Sequence, residues 1–266
     1  MIKVIAMDMD GTLLNSNHVI SSKTKEVLLK AQQKGIHLIL ASGRPLPGLK
    51  HQADVIGLDK NNLSYLAYNG AIMVDALSDE VYFSDTLELD LANRLIQHFK
   101  TLNVNLMINE NEILHVSSKD GVNAQHEADS NGCILKENTF EKIDFRPHKI
   151  LISEKQSRLD SMIPLLTEPF KDEVDFVKSA PFYLECLIKG ENKGKGLKHF
   201  CELKGIPLEE VIAFGDNYND EQLIETAGIG VAMGNAVQRL KDIADIVTTS
   251  NDEDGIAKVL LERGIV

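Results

Sequence analysis

The sequence predicts an α/β fold: a Rossmann-like core on an open parallel sheet, interrupted by an inserted α+β unit. Three observations carry this reading. Short apolar, β-branched runs alternate with stretches of helical period at the start of the chain and again after residue 188. That rhythm breaks near Asp85, where helices meet more strands than a βαβ repeat supplies. Carboxylates directly follow two of the apolar runs, at strand ends where open α/β sheets bind their ligands. Residues 1–84 and 188–266 are therefore expected to form the core, and residues 85–187 the insertion.

The core elements follow in order. Residues 2–7 (Ile-Lys-Val-Ile-Ala-Met) read as a buried strand. Ser21 or Ser22 caps a helix reaching about Lys34, with Gly35 at its end and Val27, Leu28 and Ala31 on its apolar face. Residues 36–41 form a second strand, which ends in Ser42-Gly43-Arg44-Pro45 and leads to a helix over 46–56. A strand–helix–strand unit of this kind is a right-handed crossover, so the ends of the two strands lie side by side. Residues 63–68 are a third strand, followed by Asn69-Gly70, and 72–74 pairs with 81–83 as a hairpin.

In the insertion, Leu91, Leu95, Ile96, Phe99 and Leu102 mark an amphipathic helix. Strands are expected at 104–108, 113–117, 149–153, 174–177 and 183–188, with a second helix on Leu159, Ile163 and Leu166. The polar stretch 119–142 has no clear period. Lys189-Gly-Glu-Asn-Lys-Gly-Lys-Gly196 returns the chain to the core. A helix from 195 to 204 ends at Gly205, with Pro207 beyond. Strands at 211–214, 229–232 and 244–247 and a helix over 252–263 complete the sheet.

Composition narrows the function. A chain of 266 residues with 43% hydrophobic residues can bury a sizeable core and is not disordered. A formal charge of -12 disfavours a nucleic-acid surface. It leaves room for a small phosphorylated metabolite, because a cation can reverse the field locally. The three cysteines are scattered and form no CxxC, so neither zinc nor a disulfide scaffold is supported. No signal peptide or membrane span is expected, and a cytoplasmic protein is, as a monomer or small homo-oligomer.

Asp8 and Asp10 emerge where the first strand ends. Residues two apart on extended chain share a face, and close like charges call for a cation between them. Hard carboxylate oxygens favour magnesium. Gly11 allows a tight turn, and Thr12 adds a hydroxyl and an N–H for an anion. Asp216 follows residues 211–214 and is placed to complete the metal site with Asp8. Asn219 and Asp220 stand where a helix begins, suited to capping it or to orienting the metal ligands. Ser42 is placed to give its hydroxyl to a phosphate at Asp8, and Asn69 to line the same cleft. For each of these the alternative is an ordinary turn. An EF-hand is excluded, because Gly11 follows Asp10 directly and a strand precedes it. A P-loop is excluded too: three residues separate Gly190 from Gly194, where that motif has four.

Taken together, Asp8-x-Asp10-Gly11-Thr12, Ser42, Lys193 and Gly215-Asp216-x-x-Asn219-Asp220 resemble the motifs of the haloacid dehalogenase-like (HAD) phosphohydrolases, over the whole chain. Leu40-Ala-Ser-Gly-Arg-Pro45 and Lys189-Gly-Glu-Asn-Lys-Gly194 are similar to the second and third motifs of the Cof-like sugar phosphatases. The insertion resembles their type IIB cap, and Ile188 stands where a proline is usual. The resemblance implies a magnesium-dependent phosphatase of small phosphorylated metabolites, with Asp8 as nucleophile and Asp10 as acid and base. It puts the Asp8 carboxylate, the Asp10 carbonyl and Asp216 on the metal, and Thr12, Ser42, Lys193 and Asn219 on the phosphate. Gly11, Gly43 and Asp220 would support the site, Arg44 and Asn69 would touch the leaving group, and the cap would close over the core and select substrate. A phosphomutase on the same scaffold and a catalytically silent metabolite-binding protein are the alternatives.

Overall fold

β1 (Val4–Asp8) is buried along its whole length, because it lies in the middle of a sheet covered on both faces. This is a computed structural model describing residues 1–266. After β1, Ser21 caps α1 (Ser22–Gln33) by accepting the Thr24 N–H. β2 (His37–Ala41), α2 (Leu46–Ile56) and β3 (Leu63–Ala67) follow, then the hairpin of β4 (Ile72–Asp75) and β5 (Val81–Ser84).

The second unit, residues 85–191, has its own core. It contains α3 (Leu89–Thr101), β6 (Asn105–Glu110), β7 (Ile113–Val116), α4 (Ala124–Ser130), β8 (Ile134–Glu137), β9 (Lys149–Ser153), α5 (Gln156–Thr167), β10 (Val174–Ala180) and β11 (Tyr183–Ile188). Its sheet runs β10-β11-β9-β6-β7-β8 and is antiparallel except for the β7–β8 pair. Leu95, Ile96 and Phe99 of α3 and Leu159 and Leu166 of α5 pack on Leu106, Ile108, Ile150, Ile152 and Leu184 of one sheet face. Ala124 and Ala128 of α4 pack with Met107, Leu114, Val116 and Leu151 of the other. The stretch without sequence period thus contains α4 and β8. Only two alanines anchor α4, and β8 is an exposed edge, so neither leaves a hydrophobic pattern. β11 runs to Ile188 and the unit ends at Glu191, beyond the expected boundary at 187.

The first unit resumes at Asn192 with α6 (Lys193–Lys204), β12 (Val211–Gly215), α7 (Glu221–Thr226), β13 (Ile229–Ala232), α8 (Gln238–Ile243), β14 (Ile246–Val247) and α9 (Gly255–Glu262). Its sheet order is β14-β13-β12-β1-β2-β3-β4-β5. The strands from β14 to β3 are parallel, and β4 and β5 are antiparallel at one edge. From β1 the chain steps outward through β2 and β3, and it returns on the opposite side through β12, β13 and β14. The switch point therefore lies between β1 and β12, and a crevice opens at their carboxyl ends.

The glycines of the 189–196 segment serve close packing. A Cβ on Gly194 would lie 2.2 Å from the Gln222 carbonyl, and one on Gly196 2.8 Å from the Gly70 carbonyl. Their absence lets α6 press against α7 and the turn after β3, which fixes where Lys193 at the head of α6 points.

Each unit holds one partly buried histidine that favours its neutral form. Burial lowers His37 and His148 from an ordinary value of 6.5 to about 4. Between those values the unfolded chain binds the proton and the native chain does not. Stability is therefore full above about pH 6.5 and lost as pH falls toward about 4. Thermal unfolding followed from pH 7 to pH 4.5 should show a falling midpoint. Replacing His37 with Gln, which keeps a partner for the Ser64 hydroxyl at 2.9 Å, should blunt the fall for the first unit. A flat profile that the substitution leaves unchanged contradicts this assignment.

Candidate active site

The residues converge at the β1–β12 switch point. Lys193 is fully buried; its Nζ donates to Asp8 Oδ1 at 2.5 Å and to Asp220 Oδ1 at 2.7 Å. The second Asp220 oxygen accepts the N–H groups of Asp216 (3.0 Å) and Asn217 (3.1 Å). Asp220 is thus fully engaged, as the brace between Lys193 and the loop carrying Asp216. Thr12 Oγ1 donates to Asp216 Oδ1 at 2.7 Å, tying the β1 loop to the β12 loop. Gly11 permits this closeness: at φ +86°, a Cβ there would stand 2.5 Å from Asp216 Oδ2.

Three carboxylates surround one ammonium. One oxygen from each of Asp8, Asp216 and Asp220 lies within 4.8 Å of the others. Burial raises the Asp8 carboxyl well above its ordinary range, with Lys193 opposing and the Asp220 and Asp216 charges reinforcing. Burial likewise pushes Asp216 up to about 6, against the Thr12 hydrogen bond. Burial lowers Lys193, but Asp220 and Asp8 outweigh it and hold it above its usual range. Lys193 therefore stays charged, one ammonium among three carboxylates, and burial makes Asp8 and Asp216 the two whose ionised form most needs a further cation. Their second oxygens accept from no protein group, and this donor set suits a hard divalent cation.

Asp10 stands apart from that cluster. Its carboxylate turns to Arg44, whose Nε and one terminal nitrogen donate to its two oxygens at 2.8 and 2.9 Å. Arg44, expected on the leaving group, is thus the fork that orients Asp10. Ser42, buried just beyond β2, accepts the Arg44 N–H at 3.1 Å and donates its own proton to no protein group. The Thr12 hydroxyl is used on Asp216, which leaves its N–H for an anion. Asn219 Nδ2 donates to Asn69 Oδ1 at 3.1 Å, so these two join at the rim. Gly43 lies under the Asn69 amide, where a Cβ would come to 3.1 Å. One contributor escaped the sequence reading: Asn235, in the loop after β13, whose Nδ2 donates to the Gly11 carbonyl at 2.8 Å. A lone asparagine in a loop carries no spacing signal.

Fold and site define a phosphoryl-transfer type of centre on a parallel sheet, and the comparisons name the class. A family model described as haloacid dehalogenase-like hydrolase matches residues 5–260. The chain belongs to that family, and it is a phosphatase. It is 30% identical to phosphatase YwpJ of Bacillus subtilis over 97% of this chain and 98% of that one. It is 29% identical to 5-amino-6-(5-phospho-D-ribitylamino)uracil phosphatase YitU of the same organism, over 97% and 96%. A haloacid dehalogenase-like hydrolase from Bacteroides thetaiotaomicron superposes with a TM-score of 0.91 at 32% identity, covering 99% of this chain and 100% of that one. An HAD subclass IIB sugar phosphatase gives 0.82 at 27% identity, covering 99% and 100%.

Proposed function

We propose that the protein hydrolyses phosphate monoesters of small polyhydroxylated metabolites, sugar phosphates foremost, through an aspartyl-phosphate on Asp8. The observation that carries this is the buried Lys193 ammonium held between Asp8 and Asp220, with Asp216 alongside. Asp8 and Asp216 would hold magnesium by their second oxygens, joined by the Asp10 carbonyl. When bound, magnesium supplies charge neutralisation between the phosphoryl group and Asp8.

In the first step an Asp8 oxygen attacks phosphorus in line. The bond from phosphorus to the ester oxygen breaks, and Asp10 gives that oxygen its proton. In the second step water attacks the phosphorus of the aspartyl-phosphate. Asp10 takes the proton, the Asp8–phosphorus bond breaks, and phosphate leaves. Lys193, the Thr12 N–H, Ser42 and Asn219 hold the phosphoryl oxygens and offset their charge. Arg44 has to release Asp10 for it to reach the ester oxygen.

The substrate class draws support from the names of relatives, a sugar phosphatase and a phosphatase of a phosphoribityl compound. Each name describes a phosphate on a hydroxylated carbon chain. Unpaired Cys133, Cys186 and Cys201 are in keeping with a cytoplasmic setting. No helix is long and apolar enough to cross a membrane.

A panel of hexose, pentose and polyol phosphates, assayed for free phosphate with magnesium and with chelator, tests the reading. Release should need the metal and return when magnesium is restored. Isomerised ester without free phosphate would make the protein a mutase, and chelator-resistant release would remove the metal from the account.

A further inference from the structure

The loop after β13 touches both acidic loops of the site. The Met233 N–H donates to the Gly215 carbonyl at 3.0 Å and the Val237 N–H to the Asp216 carbonyl at 2.9 Å. Between them, Asn235 reaches to the Gly11 carbonyl with its amide nitrogen at 2.8 Å. The orientation of that amide is settled by its other end, where Asn235 Oδ1 accepts the Asn251 N–H at 3.0 Å. Asn251 in turn donates from Nδ2 to the Leu14 carbonyl at 2.8 Å, closing the brace around the Asp8–Leu14 turn.

The consequence lies in the peptide plane. In a trans peptide the carbonyl and the following N–H point in opposite directions. With the Gly11 carbonyl held by Asn235, the Thr12 N–H points away from it. Asn235 stands on the β13 side of β1, and Ser42 on the β2 side. The Thr12 N–H donates to no protein group. At Gly11 the backbone is in the left-handed region that only glycine enters freely, so it has no side chain to hold the plane. Nothing else anchors that carbonyl.

The geometry points to Asn235 as a positioning residue, which locks the Gly11–Thr12 peptide so that the Thr12 N–H faces the phosphoryl group. This rests on the reading of Thr12 as a phosphoryl donor. Asn235 touches neither substrate nor the reacting atoms, and it acts through the backbone it holds.

The test compares wild type with Asn235→Ala and Asn235→Asp, using p-nitrophenyl phosphate for turnover, orthovanadate as inhibitor and thermal unfolding. Asn235 is exposed, so neither variant should shift the unfolding midpoint. Both should weaken orthovanadate inhibition and lower kcat/KM by about 10- to 100-fold, the range for residues that orient the groups in direct contact. Asp should be at least as harmful as Ala. It still accepts the Asn251 N–H but sets a carboxylate oxygen against the Gly11 carbonyl. Wild-type inhibition and kcat/KM in Asn235→Ala overturn the proposal while leaving the phosphoryl site standing. A loss matched by a lower unfolding midpoint makes Asn235 a general structural contact and also overturns it. Orthovanadate-insensitive wild-type enzyme removes the phosphoryl site itself.

Discussion

Asp8→Asn should leave a folded protein with almost no turnover, a fall of about 10⁴- to 10⁶-fold in kcat, the scale of removing a nucleophile elsewhere. An amide does not attack phosphorus, and no other carboxylate can take over. Asp220 is spent on Lys193 and two N–H groups, and Asp10 is held by Arg44. The fold should persist, because the amide oxygen can still accept from Lys193 and the cluster loses one of its crowded charges. Phosphate release and the thermal midpoint, measured side by side, check both parts. Turnover near wild type in this variant refutes the nucleophile assignment.

Lys193→Met should cost both activity and stability. The ammonium is wholly buried between two carboxylates, one of them, Asp220, with no exposure at all. Removing one partner of such a pair strands charge away from water, at about 3–5 kcal/mol. The first unit should therefore unfold at lower temperature or denaturant, and phosphate release should fall below detection. The double variant Lys193→Met with Asp220→Asn separates the two effects. An asparagine oxygen at the Oδ2 position still accepts the Asp216 and Asn217 N–H groups, and of the two carboxylates that lost the ammonium only Asp8 remains. Stability should return in part while activity does not. If Lys193→Met is as stable as wild type, the buried ion pair is misassigned.

Much of this centre is legible in the sequence because strands buried on both faces are almost purely apolar. Residues 2–7 and 211–214 announce themselves, and the acids that follow them stand out as strand-end groups. The crossover rule then brings their ends together without coordinates. The partners of each acid were not legible. Nothing in the spacing says that Arg44 takes Asp10, that the Thr12 hydroxyl goes to Asp216, or that Asp220 braces Lys193. Those choices depend on side-chain directions at loop tips, which no period encodes. The segment around Gly194 shows the same limit. Its spacing excludes a phosphate loop and it resembles a family motif, but nothing in the sequence says that its glycines record how closely α6 meets α7. In the insertion, α4 and β8 stayed hidden because short elements with little apolar area leave no pattern.

The central claim is a covalent bond between Asp8 and phosphorus. Borohydride reduces an acyl phosphate to the alcohol, so enzyme quenched into it during turnover should yield homoserine at position 8 in the peptide map. Asp8→Asn treated in parallel should yield none. Unreduced Asp8 in enzyme that is releasing phosphate, or phosphoryl label recovered on another side chain, contradicts the account.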